Sequence, residues 1–149
     1  MGPEVHQRTA QAAGARGPLR REVYKRNQLP TPRKVFYTDA IVHSVLTFNI
    51  HVWNQLTKAE ADKMDTGYRK GYRIATGHRA ANNPKQHVTN LKIQALANRP
   101  SFTLLQRVHR LRYLARLLLL HGPTILLRLL DANARNDHGW AAKIDDDLE

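Results

Sequence analysis

Apolar positions recur at helical spacing in several stretches of this chain, most plainly between Ser101 and Leu130. Leu104, Val108, Leu111, Ala115 and Leu118 lie three and four residues apart, and Leu105, Leu114 and Leu117 widen the stripe. Arg107, Arg110, Arg112 and Arg116 fill the gaps, so the period predicts an amphipathic helix. Ser101 after Pro100 suits its N-cap, and Gly122-Pro123 stops it. Thr124 can then cap a last short helix carrying Ile125, Leu126, Leu127, Leu129 and Leu130. Upstream, Ala61, Met64, Tyr68, Tyr72 and Ala75 make a second stripe. Thr57 and Glu60 match a capping box, in which hydroxyl and carboxylate satisfy each other's free amides, and Gly77 closes the helix predicted over 57–76. The loop 77–86 follows, then a short helix over 89–98 with Leu91, Ile93, Ala95 and Leu96 apolar. A buried helix is expected over 39–53, capped by Thr38 or Asp39 and carrying Ile41, Val42, Val45, Leu46 and Phe48. Its β-branched residues leave a strand in part of it open. The fold class that follows is all-α, a small bundle of about four to five helices.

Both ends lack a period. Residues 1–36 set Arg8, Arg16, Arg20, Arg21, Lys25, Arg26, Arg33 and Lys34 against only Glu4 and Glu22. With so little to bury, this stretch is expected to be an extended or disordered basic arm: a flexible tail, or one that orders on RNA or in an assembly. Its Arg-rich, acid-poor make-up also resembles an organelle transit peptide, against which Pro3, Pro18, Pro30 and Pro32 argue. A helical domain is expected over 37–131 and an acidic tail over 132–149. Asp145, Asp146 and Asp147 are expected to be solvated, with divalent-ion binding as the alternative. Trp140 can dock that tail on the domain or on a partner.

Charge changes the picture more than composition does. The net charge is +12 over 149 residues, and no Asp or Glu occurs between Thr66 and Leu130, a window holding twelve Lys and Arg. Such a field attracts polyanions, nucleic-acid phosphate above all, with an acidic protein or anionic lipid as alternatives. The candidate contacts are Arg69, Lys70, Arg73, Arg79, Lys85, Arg107, Arg110, Arg112 and Arg116. For the Arg69–Arg73 ridge the plainer reading is a solvated face over a tyrosine core. Arg79 and Lys85, with His78, would make the 77–86 loop a phosphate-contacting tip.

Other chemistry finds little support. Leu117–Leu130 is too short and too interrupted for a bilayer span, which needs roughly 20 apolar residues; buried packing or an interfacial helix remain. The absence of cysteine excludes disulfides and cysteine-ligated zinc and fits a reducing compartment, with organelle or nucleus both open. No phosphate-loop, dinucleotide, zincin or nucleophile-elbow motif occurs. The eight histidines show no metal-ligand spacing, and His43 and His51 flank an apolar face as packing residues would. No catalytic residue, metal, cofactor or small-molecule substrate is expected.

Taken in order, the stretch from Ile41 to Gly77 resembles the segment that follows the polymerase palm in reverse transcriptases of non-LTR (LINE-type) retrotransposons. The similarity runs through Ser44, Leu46, Phe48, Trp53, Leu56, Thr57, Arg69, Arg73 and Gly77. It continues through Thr89, Asn90, Pro100, Ser101, Leu104, Leu105 and the run Arg110-Leu111-Arg112-Tyr113-Leu114. The resemblance implies a thumb-like helical region that holds template RNA or an RNA–DNA hybrid along its backbone. It implies no polymerase activity, because the palm with its paired aspartates is missing, as is the Cys/His element further downstream. A fragment and a domesticated remnant are both open. The other reading of the chain is a structural accessory subunit of a large organellar assembly, a ribosome or a membrane complex, whose basic surface and long tails dock on protein or ribosomal RNA.

Overall fold

In a computed structural model of the chain, the described residues are 2–52, 56–78, 88–121, 128, 144, 147 and 148. Their regular structure is helical, with no strand among them, so the protein is all-α. The chain divides into two compact units, Met1–Phe48 with Lys58–Phe102, and Asn49–Thr57 with Thr103–Glu149.

In the first unit, helix α1 (Gly2–Leu19) runs on into a π-helical stretch, Arg20–Tyr24. This corrects the expected extended arm. The helix buries only Val5, Ala12 and Leu19, one side chain every seventh residue, along a line that packs on helix α4 (Lys58–Ala75). Polar contacts reinforce that line: Arg16 Nη1 donates to the Gly67 carbonyl at 3.2 Å, and Lys63 Nζ to His6 Nε2 at 2.8 Å. The same unit therefore holds both α1 and α4, and the boundary expected at residue 36 does not separate them.

Helix α2 (Thr31–Tyr37) starts at Pro30, with Pro32 in the first turn, where a missing N–H costs nothing. It continues through a π-helical stretch, Thr38–His43, into α3 (Ser44–Leu46). The helix expected over 39–53 thus begins earlier and ends sooner. Thr38 is not its cap: its hydroxyl donates to the Lys34 carbonyl at 2.8 Å and accepts from Tyr24 at 2.8 Å. Asn49, at φ 56°, takes the left-handed conformation that breaks helical continuation.

Helix α4 matches its expected span and buries Met64, Tyr68, Gly71, Tyr72 and Ala75, with Gly77 at φ 79° just past its end. Helix α5 (Asn90–Ala97) also matches: the Thr89 hydroxyl accepts the Lys92 N–H at 3.3 Å, and Asn98 caps the far end at φ 50°.

One carboxylate ties these elements together. Asp39 Oδ1 accepts from the Tyr72 hydroxyl at 2.8 Å and faces His43 Nδ1 at 3.0 Å, while Oδ2 accepts from Arg99 Nε at 2.7 Å. His43 Nε2 lies 3.0 Å from the Tyr68 carbonyl, and its ring sits 4.6 and 4.4 Å from the rings of Tyr68 and Tyr72. Tyr68 sends its own proton to the Pro100 carbonyl at 3.3 Å and meets Phe102 edge-on at 5.9 Å. Burial acts to raise the Asp39 carboxyl, but hydrogen bonds from His43, Tyr72 and Arg99 outweigh it and hold the group below its ordinary range. The packing role expected of His43 is the one it has.

The second unit contains a 3-10 turn, Ile50–Val52, and, from Thr103 onward, helix α6 (Phe102–His121). The helix is where the leucine pattern places it, but its buried face is turned. Leu104 and Leu118 are exposed, whereas Leu117 and Arg110 are buried. Leu117 packs with Ile144 from the C-terminal segment, and Leu111, Tyr113 and Leu114 surround the pair. The His51 ring lies 4.4 Å from the Tyr113 ring, tilted by 40°, and burial lowers its basicity. Three residues after Ile144, Asp147 is not a solvated acid: its side chain is 5% exposed and binds Arg110. The helix expected over 124–130 and the Trp140 anchor lie outside the described residues, apart from Arg128. No helix among the described residues is long and apolar enough to cross a membrane.

Candidate nucleic-acid interface

The face of α4 opposite its tyrosines is built by Thr66, Arg69, Lys70, Arg73 and Ile74, at the spacings that one helical face requires. With Arg20 from the π-helical stretch after α1, and Asn90 from the first turn of α5, these residues line a cleft of about 480 Å³. Four of the described lining residues are cationic, and none of them is a carboxylate, imidazole or thiol.

Each cation is held differently. Arg73 Nη2 donates to the Val88 carbonyl and to Asn90 Oδ1, both at 2.8 Å, which fixes the guanidinium across the gap between α4 and α5. Its Nη1 is buried with no hydrogen-bond partner among the described residues. Arg69 Nη1 pairs with Asp65 one turn earlier at 2.7 Å, both side chains 25% exposed. Burial pushes the Asp65 carboxyl up, Arg69 pulls against it, and Asp62 adds to the rise. On an exposed helix surface an i,i+4 pair contributes only about 0.3–0.5 kcal/mol; this one is partly buried. Lys70 and Arg20 are exposed.

The cleft brings together three of the nine candidates, Arg69, Lys70 and Arg73, and adds Arg20, which the aperiodic N-terminal pattern assigns to an arm. Arg79 and Lys85 lie outside the described residues. On α6, Arg112 and Arg116 are exposed. Arg107 Nε lies 3.2 Å from Asp147 Oδ1. Arg110 is a correction: its side chain is 7% exposed and grips Asp147 through Nε at 2.5 Å and Nη2 at 2.8 Å, so no external phosphate reaches it here. A pattern dense in leucine conceals which α6 arginine turns inward.

Chemically the cleft can bind an oxyanion. Planar guanidinium groups and an ammonium converge on a partly apolar surface formed by Ile74 and the side-chain stems. Among the described residues no group of three or more His, Cys, Asp or Glu is placed to hold a metal ion. No family model matches the chain, and neither a curated protein nor a solved structure matches it at a significant level.

Proposed function

We propose that this chain is a non-catalytic helical module that grips the backbone of RNA or of an RNA–DNA hybrid, of the thumb type that follows the palm in non-LTR retrotransposon reverse transcriptases. The observation that carries the reading is the α4 cleft, with four cations and no carboxylate among its described lining residues. The wider charge supports it: the acid-free window that begins at Thr66 takes in every cation of this cleft but Arg20. Phosphate contacts fix register along a strand without reading sequence, and a module of this kind needs no reactive group. The test is RNA binding by the full chain across a salt series. Affinity should fall steeply with salt, and Lys70→Glu with Arg20→Glu, both at exposed positions, should flatten the slope by roughly 0.7 for each phosphate no longer neutralised on a single strand. Binding that is undetectable at low salt, or indifferent to salt, refutes the reading.

A second reading, an accessory subunit of a large assembly, is favoured by bulky apolar side chains on the surface, with Leu119 85%, Leu91 79% and Phe36 62% exposed. Recovery of the native chain as a free monomer at cellular salt would refute it.

A further inference from the structure

The geometry points to an oxyanion cradle on α6, formed by Arg110 and Arg107, that the chain's own Asp147 fills and for which a nucleic-acid phosphate competes. The inference rests on the nucleic-acid reading and adds a second binding site together with its control.

Three donors surround one carboxylate. Arg110 offers Nε to Oδ2 at 2.5 Å and Nη2 to Oδ1 at 2.8 Å, and Arg107 Nε approaches Oδ1 at 3.2 Å. Arg107 and Arg110 stand one turn apart on the helix, so both reach the same point. A guanidinium edge that holds two carboxylate oxygens side by side also fits the two non-bridging oxygens of a phosphodiester, which carries the same single charge. Replacing one by the other leaves the cradle neutralised. Arginine cannot escape burial by losing its proton, so Arg110 needs a resident anion or must turn out to water.

Ile144 packs on Leu117, and Asp147 binds Arg110 two turns earlier on α6. The described hold on the occupant is Ile144, buried against Leu117 with Leu111, Tyr113 and Leu114 around the pair, and this ion-pair cluster. Arg112 and Arg116 are exposed on the same helix, but at about 100° per residue they lie on the side away from Arg107 and Arg110. Leu148, next to Asp147, is 67% exposed and opposes departure with little buried area.

The experiment compares the full chain with Asp147→Asn, which keeps the side-chain shape and removes the charge, in binding a fluorescein-labelled poly-U RNA from about 50 to about 200 mM salt. The variant is expected to bind about five-fold tighter near the middle of that range with an unchanged log–log salt slope, because both proteins neutralise the same phosphates once Asp147 is displaced. In the unaltered chain, the Ile144 methyl NMR signal should move from a packed to a solvent-exposed position as RNA saturates. Equal affinity for the two proteins, or an Ile144 signal that stays packed at saturation, overturns the competition. If Asp147→Asn loses helicity, the Ile144 signal of the unaltered chain decides alone. If neither protein binds RNA, the nucleic-acid reading falls and this inference falls with it, whereas binding without competition leaves that reading standing.

Discussion

Two glycines one turn apart on α4, Gly67 and Gly71, should respond to the same substitution with opposite signs. In a helix interior, Gly→Ala stabilises by about 0.5–1 kcal/mol by restricting the unfolded chain. At Gly67 an added methyl would meet Leu46 at 3.6 and 3.8 Å and Thr9 at 3.8 Å, ordinary contact distances, so the gain should survive. At Gly71 the methyl would lie 2.6 Å from His43 Nε2 and 3.0 Å from Thr38 Cγ2, inside contact range for atoms that are themselves buried. Something must shift, and the rings of Tyr68 and Tyr72 flank His43. Overpacking of this kind costs about 1–3 kcal/mol, and a lost bond to the Tyr68 carbonyl adds about 1–3 kcal/mol for the unsatisfied group. After the propensity gain, Gly71→Ala should destabilise by about 1–5 kcal/mol. Urea unfolding followed by far-ultraviolet circular dichroism measures both variants, with an unchanged m-value as the control. A His43→Ala, Gly71→Ala double variant should lose less than the sum of the single losses, because the clash goes with the ring. A Gly71→Ala protein as stable as the parent would refute the close approach and with it the assigned packing of α4 on Thr38–His43.

Acid should act in two windows, visible as separate losses of signal from Tyr113 and Tyr72 in a pH titration followed by NMR. Burial lowers His51, and burial, Arg112 and His51 lower His109, so the unfolded chain binds these protons more tightly and the second unit weakens as pH falls below about 6.5. Asp39 is depressed, so its contribution is complete above about 3.8 and is lost as pH falls from there through its folded value; a first unit that weakens before the second contradicts both assignments. Tyr72→Phe removes a donor from Asp39, whose partner hydroxyl burial and its neighbours keep protonated, and should cost about 1–2 kcal/mol in urea unfolding. Leu117→Ala should cost about 2–5 kcal/mol in the second unit and expose Ile144, whereas Leu119→Ala should stay within about 0.5 kcal/mol.

Which parts could be read from the chain follows from how many residues each feature needs. Helix α4 declares itself because Met64, Tyr68, Tyr72 and Ala75 repeat within one turn of each other and Gly77 ends the run. Helix α5 carries its own caps in Thr89 and Asn98. Helix α1 does not declare itself, since Val5, Ala12 and Leu19 mark its buried line only once in two turns among glycines and charges. Its order comes from α4, far along the chain, and no local pattern records that. The cleft was legible on α4, where Arg69, Lys70 and Arg73 share a face, and illegible at Arg20, which only the fold of α1 carries there. In α6 the leucines occupy nearly every direction, so the side that turns inward is decided by Ile144 and Asp147 rather than by the helix itself. Asp39 looks like a cap by position. It becomes a hub because its partners Tyr72 and Arg99 arrive from 33 and 60 residues away.

The π-helical stretch at Thr38–His43 makes chain length itself a packing element. A π turn carries one residue more than an α turn, and with 3.6 residues per α turn that surplus rotates everything after it by about 100°. The rotation brings His43 over the notch at Gly71 while leaving Ile41 on the outside. Deleting one residue there would restore the ordinary period without touching any core side chain, yet it would swing the imidazole away from α4 and empty the notch. Gly71 and the number of residues between Thr38 and His43 therefore act like a lock and the length of its key, and each can vary only when the other does.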